Sequence, residues 1–220
     1  MIKVIYFDID DTLYDQFKPF EDAFKTVFPH LQIDIRQAYL NSRQYSDQVF
    51  EATENGTLDL KTMHRQRIQT ALKSLSLSIT DDEADSFQRR YAANQRHITL
   101  DSSLRSSFDA LKASGVTLGI ITNGPLEHQM RKIHQLGLAN WVDEDHIYIS
   151  SEQGIAKPDI RLFDLARKGL YSPEDCLYIG DSFDNDVVGA KSAGWQVIWF
   201  NRRNKPLPSS QYSPDYQVTK

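Results

Sequence analysis

A single cysteine, Cys176, stands among the 220 residues, so no internal disulfide can form, which fits a reducing compartment. Cys176 runs into the apolar stretch Leu177-Tyr178-Ile179 and reads as a small core residue, not a reactive thiol. Long hydrophobic runs are missing too: no stretch approaches the roughly 20 apolar residues that span a bilayer. The first residues, Met1 to Asp8, pass directly into a strand and a charged turn. They lack the apolar segment and small-residue cleavage site of an export signal. Concentrated positive charge is the third absence. The formal net charge is −5 and no Lys/Arg run occurs, which argues against nucleic-acid and anionic-membrane partners. Internal repeats and low-complexity segments are also lacking. These absences together predict a soluble, cytoplasmic protein.

What is present is ordinary in amount, with 40% apolar and 25% charged residues, enough for a real core in one or two domains. Its arrangement is less ordinary. The strand Lys3–Phe7 is followed from about Gln16 to His97 by residues with no strand signal. There Phe17, Phe20, Phe24 and Phe28, then Ile68, Leu72 and Leu75, fall at helical spacing, with breaks at Gly56 and at Thr80-Asp81-Asp82. From Asp101 onward strands and helices alternate. Strands are predicted over Val116–Thr122, Ile147–Ser150, Leu177–Ile179 and Val197–Phe200, with a short last one at Tyr216–Thr219. Helices are predicted over Leu126–Leu136, ending at Gly137, and over Ile160–Leu170. Such alternation implies an α/β fold, a doubly wound parallel sheet covered on both faces. The expected division is a core of residues 1–15 plus 98–220 with an all-helical insertion, 16–97.

The polar residues worth weighing sit at the carboxyl ends of those strands, where open parallel sheets bind ligands. Asp8, Asp10 and Thr12 follow the first strand, and Thr122-Asn123-Gly124 the second. Asp181-Ser182 with Asp184 and Asp186 follow the fourth, and Lys157 precedes a helix at Pro158. Alternation puts Asp8 and Asp10 on one side. So many carboxylates would repel unless a cation sat among them, and all-oxygen ligation selects a hard ion such as Mg2+. Thr122-Asn123-Gly124 offers a hydroxyl, an amide and backbone N–H groups before a helix, a cradle for an anion. Each cluster alone has a bland reading: an acidic loop, a turn, a solvated lysine. Their convergence on one crevice is what favours chemistry.

Asp8-Ile9-Asp10-Asp11-Thr12-Leu13, Ile121-Thr122-Asn123-Gly124, Ala156-Lys157-Pro158 and Gly180-Asp181-Ser182 with Asp186 resemble, in order, the four signatures of haloacid dehalogenase-like phosphatases. The resemblance spans the chain and implies a Rossmann-like core with a helical cap. It makes Asp8 the nucleophile, Asp10 the general acid/base and Lys157 the cation that neutralises phosphate and steadies Asp8. Thr12 braces Asp10 on the substrate-binding side, and Thr122 and Asn123 hold phosphate. Mg2+ falls to Asp8, Asp10 through its backbone carbonyl, Asp181 and Asp186, with Asp184 left as an alternative to the last. Asp10 then needs a raised pKa, which neighbouring carboxylates can supply. Ile149–Pro158, Trp199-Phe200-Asn201 and the Asn55-Gly56 turn look closest to the YjjG-type pyrimidine 5'-nucleotidases.

The resemblance thus implies a small phosphorylated metabolite as partner, possible as a nucleoside monophosphate, handled by a monomer or homodimer. A sugar-phosphate phosphatase or a phosphomutase of the same fold is the alternative. A true haloacid dehalogenase would lack Asp10, and an idle binding module would show decay in the four clusters. Arg65 and Arg67 are candidates to reach substrate, with a solvated helix face as the plainer role. Phe17, Phe20 and Phe24 read as bundle core before base-stacking platform. The chain stops soon after Val218, where relatives of this kind continue into a last helix.

Overall fold

Short apolar runs without alternation suit strands that are covered on both faces. In the computed structural model, which describes residues 1–219, these runs all pair in parallel. β1 (Val4–Phe7), β2 (Thr117–Thr122), β3 (Ile147–Ile149), β4 (Cys176–Gly180), β5 (Gln196–Phe200) and β6 (Tyr216–Val218) lie in the order β3-β2-β1-β4-β5-β6. The chain walks outward from β1 to β3 and then returns to the other side of β1 with β4. The order therefore reverses between β1 and β4, the place where a ligand crevice opens at the carboxyl ends. Register fixes the height of each loop: Phe7 faces Ile179, and the Asp8 N–H donates to the Ile179 carbonyl at 2.9 Å.

The chain divides into two compact units, Met1–Asp15 with Thr99–Lys220, and Gln16–Ile98. The second unit is all helix: α1 (Phe17–Val27), α2 (Ile35–Gln48), α3 (Phe50–Glu54), α4 (Leu60–Lys73) and α5 (Asp81–Asn94). Three of these starts are fixed by side chains that satisfy otherwise orphaned N–H groups. Asp34 accepts from the Gln37 N–H, Asp59 from the Thr62 N–H, and Thr80 and Glu83 close a reciprocal capping box. Phe20 and Phe24 of α1, with Phe28 just past its end, pack with Tyr39, Ile68, Leu72, Phe87 and Tyr91 into a core of their own. Each such buried phenylalanine contributes about 1.5–3 kcal/mol. Phe17 is half-buried, with Arg36 4.5 Å above its ring. The aromatic stripe is bundle core. Neither candidate arginine is a loosely solvated residue. Arg65 grips Asp85 through Nε and Nη2, both at 2.7 Å, and Arg67 donates to Gln88 Oε1 at 2.8 Å while lying over Tyr91.

The first unit adds α6 (Ser102–Ala113), α7 (Leu126–Leu136), α8 (Ser150–Gln153), α9 (Ile160–Ala166) and α10 (Val188–Ser192). α7 has the expected bounds, because Gly137 turns left-handed at φ 68° and ends it. α9 stops short of Leu170, because Lys168 and Gly169 adopt positive φ and break the helical path. One face of the sheet is packed by Tyr6, Ile121, Tyr178, Phe163, Val187, Trp195 and Trp199. No helix among the described residues is long and apolar enough to cross a membrane.

Candidate active site

Asp8 and Asp181 follow the adjacent strands β1 and β4, so both leave the sheet at the same edge. Asp186 arrives from the turn Phe183–Val187, where the Val187 N–H reaches back to the Ser182 carbonyl at 3.3 Å. Such wide helical turns often mark functional sites. Carboxylate oxygens of Asp8, Asp181 and Asp186 all lie within 4.8 Å of one another. Asp184, by contrast, is exposed and outside this group. Gly180 makes the approach possible, since a Cβ there would stand 2.3 Å from Asp186 Oδ2.

Lys157 neutralises the group. Its side chain is 3% exposed, and Nζ donates to Asp8 Oδ1 at 2.8 Å, to Asp186 Oδ1 at 2.6 Å and to the Tyr178 hydroxyl at 2.8 Å. Burial works to strip the ammonium of its proton, but Asp186 and Asp8 outweigh it and raise its pKa above the ordinary value. Burial pushes the Asp8 carboxyl up to about 6, against the pull of Lys157 and with help from Asp186 and Asp10. The other Asp186 oxygen accepts from the Ser182 N–H at 2.9 Å. Three oxygen donors at this spacing, with one ammonium already between two of them, fit a small hard cation such as Mg2+.

Asp10 behaves differently from the expectation. Burial acts to raise its pKa, but Lys132 and Tyr14 overcome that and hold the carboxyl well below the usual range. The reason is geometric: Lys132 Nζ lies 2.6 and 2.5 Å from the two carboxylate oxygens, and the Tyr14 hydroxyl donates to Oδ1 at 2.6 Å. The charge nearest Asp10 is thus a cation from α7 rather than the neighbouring acids, and its carboxylate stands apart from the group formed by Asp8, Asp181 and Asp186. Thr12 does not brace Asp10 in this arrangement. Its hydroxyl is buried and has no hydrogen-bond partner among the described residues.

The loop after β2 is also partly committed. Thr122 is buried at the strand end. The Asn123 amide clamps the Lys157 backbone, donating to its carbonyl at 3.0 Å and accepting its N–H at 2.9 Å. The Gly124 N–H, expected to be free for an anion, donates to Ser150 Oγ at 2.9 Å. Asn123 therefore shapes the lysine loop, an arrangement the motif alone did not disclose. Asp11, between the two key aspartates, is buried in the left-handed region at φ 57°, a conformation that costs roughly 1 kcal/mol. Two arginines beyond β5 hold it: Arg202 Nε donates to its carbonyl at 3.0 Å, and Arg203 pairs with its carboxylate. Arg203 also comes within 3.7 Å of Asp181.

Lys132, Gln129, Tyr14, Tyr178, Arg202 and Arg203 are the participants that sequence reading missed. A signal existed for two of them. Gln129, Lys132, Ile133 and Leu136 form the buried stripe of α7 at spacing i, i+3, i+4, i+7, and polar residues fill two of its positions.

The family model for haloacid dehalogenase-like hydrolases matches residues 2–194. A glyceraldehyde 3-phosphate phosphatase of Methanothermobacter thermautotrophicus is 30% identical over 210 residues, 91% of this chain and 86% of that protein. The pyrimidine 5'-nucleotidase YjjG of Escherichia coli is 32% identical over 104 residues, 46% of this chain and 45% of that one. Among solved structures, the magnesium-bound HAD-hydrolase YfnB of Bacillus subtilis superposes with a TM-score of 0.73 at 22% identity, covering 99% of this chain and 94% of that one.

Proposed function

Because the chain belongs to the haloacid dehalogenase-like hydrolase family, we propose that it is a Mg2+-dependent phosphomonoester hydrolase working through an aspartyl-phosphate on Asp8. The observation that carries this reading is the buried Lys157 ammonium, lodged between Asp8 and Asp186 beside Asp181 at the β1/β4 reversal. Phosphoryl transfer asks the protein mainly for positioning and for positive charge around the equatorial oxygens.

Asp8 supplies the nucleophilic oxygen, held by Lys157 at one carboxylate oxygen. The negative charge of a bound phosphate opposes Lys132 and favours the protonated Asp10 carboxyl. The ester oxygen leaves with that proton, and Asp10 then takes one from the water that hydrolyses the aspartyl-phosphate. Lys157 neutralises charge on the phosphoryl oxygens. Thr122 and Thr12 line the phosphate, and the unpartnered Thr12 hydroxyl suits that task. Asn123 acts there through the lysine loop it clamps. Mg2+ would be held by Asp8, Asp181, Asp186 and the Asp10 carbonyl, and when bound it adds the remaining charge neutralisation. A halide leaves without a proton, so a dehalogenase would give Asp10 no task.

The substrate class is a small phosphorylated metabolite. Two members stand out for testing. Nucleoside monophosphates follow from the stretch Ile149–Pro158, and a triose phosphate follows from the M. thermautotrophicus relative, whose likeness runs nearly the full chain. The test is a screen of purified protein against pyrimidine nucleoside monophosphates, glyceraldehyde 3-phosphate, other sugar phosphates and chloroacetate, with Mg2+ and after exhaustive EDTA treatment. Phosphate release that needs Mg2+ and no halide release are expected. Full activity after chelation, or dehalogenation faster than phosphate release, would overturn the proposal.

A further inference from the structure

We propose that Lys132, together with Gln129, is the positioning element for Asp10, fixing the proton-transfer carboxyl relative to the loop that follows β2. The inference rests on the phosphatase reading above and assigns work to residues outside the four signatures.

Packing gives no reason for a lysine at position 132. Its neighbours on the buried stripe of α7 are Ile133 and Leu136, and an aliphatic side chain would fill the same space. The Lys132 side chain is 6% exposed, and burying an ammonium costs several kcal/mol unless it is paired. The pairing is with both oxygens of one carboxylate, at 2.6 and 2.5 Å, which fixes the plane of the Asp10 carboxyl as well as its place.

Gln129, one turn earlier on the same face, completes the link. Its Nε2 donates to the Asn123 carbonyl at 2.8 Å and stands 3.4 Å from Asp10 Oδ2. Glycine at 124 leaves room for it, since a Cβ there would come within 2.9 Å of Nε2. Asp10 from the loop after β1 is thereby tied through α7 to the loop after β2. General acid–base catalysis requires the donor within hydrogen-bond reach of the ester oxygen, and small misplacements are costly. The Asp10 carboxyl, protonated when a phosphate anion binds beside it, gives its proton to the leaving oxygen as the Asp8–P bond forms and the P–O ester bond breaks. In the second step a water proton returns to Asp10 as the water oxygen bonds to phosphorus and Asp8 departs. Lys132 and Gln129 touch neither the ester nor the water in this scheme and act through Asp10.

A kinetic double-mutant cycle tests this on the full chain with saturating Mg2+. Wild type, Lys132→Met, Asp10→Asn and the double variant are compared with an alkyl phosphate and with p-nitrophenyl phosphate. Circular dichroism melts verify folding. Lys132→Met is expected to lower kcat for the alkyl ester on the order of 10²-fold with KM changed less than about threefold. The first turnover of p-nitrophenyl phosphate, whose leaving group needs no proton, should lose less than about tenfold. Adding Lys132→Met to Asp10→Asn should cost less than about twofold, because partners in one network are not additive. Lys132→Arg should recover part of kcat, since a guanidinium can bridge both oxygens. If Lys132→Met does not fold, Gln129→Leu, which leaves the ion pair intact, takes its place in the cycle under the same criteria. Equal losses in both Asp10 backgrounds, or equal losses for both leaving groups, overturn the inference while leaving the phosphatase reading standing. A wild type that hydrolyses no phosphomonoester overturns both.

Discussion

Lys157→Met removes one ammonium and leaves Asp8 and Asp186 facing each other without it. The ammonium bonds Asp186 at 2.6 Å and Asp8 at 2.8 Å, and both carboxylates are buried. Breaking a buried pair by deleting one partner costs about 3–5 kcal/mol, because a charge is left uncompensated. The two pairs share one donor, so the figure is not doubled. In a chain of this size each kcal/mol moves the melting midpoint by about 2–4 °C, giving a drop of roughly 6–20 °C in EDTA. Mg2+ should reverse part of the loss, because Asp8 and Asp186, freed of the ammonium and within 4.8 Å of Asp181, bind a cation more strongly than they do beside a lysine. At a metal concentration 100 times the dissociation constant the recovery is about 2.7 kcal/mol. Calorimetry of wild type and variant, each in EDTA and in Mg2+, measures the four midpoints. The gap should narrow with Mg2+ while phosphatase activity stays lost. A gap unchanged by Mg2+, or one below about 1 kcal/mol in EDTA, would refute the reasoning.

Asp8→Asn should abolish turnover while keeping the fold, since the charge serves chemistry and a neutral amide relieves repulsion. Substantial residual activity in a clean preparation would refute it. Gly180→Ala places a Cβ 2.3 Å from Asp186 Oδ2, so a loss of about 1–3 kcal/mol in stability and a fall in kcat are expected, read from denaturant melts and initial rates. His64 is held neutral, its pKa drawn down to about 4 by burial and by Arg67. The folded value lies below the unfolded value of about 6.5, so stability is full above pH 6.5 and falls as pH drops toward 4. The loss should reach about 2 kcal/mol, the partial exposure of the ring taken into account. His64→Leu should lack that component, and parallel stability–pH curves for the two proteins would count against it.

The sheet was legible because its strands are apolar runs bounded by glycine and polar turns, as at Leu118-Gly119-Ile120-Ile121, and because α7 carries its own stop at Gly137. Local pattern also brought out Asp8, Lys157 and Asp181. The resemblance favoured Asp186 but left Asp184 open, since only the wide turn after Ser182 turns one inward and the other to solvent. The surroundings of Asp10 were misjudged for a related reason. Its dominant neighbour, Lys132, lies 122 residues away, and sequence gives no distance between them. The polar pair on the stripe of α7 was the available clue, one that a search for strand-end residues passes over. Arg202 and Arg203 carried no clue. Their contacts with Asp11 span more than 190 residues and belong to a loop with no periodicity.

The strand order has a consequence for synthesis. β1 is the first strand of this sheet to leave the ribosome, yet it lies inside the sheet, between β2 and β4. Its two edges stay vacant until residues 117–122 and 176–180 have been made. Meanwhile residues 16–98, whose core is internal to the segment, can fold by local contacts at helical-bundle speed. Elongation at about 5–20 residues per second leaves the Val4–Phe7 edge unpaired for several seconds or more. Shielding of that nascent edge, by chaperone or by the ribosome surface, therefore bears on the yield of this protein.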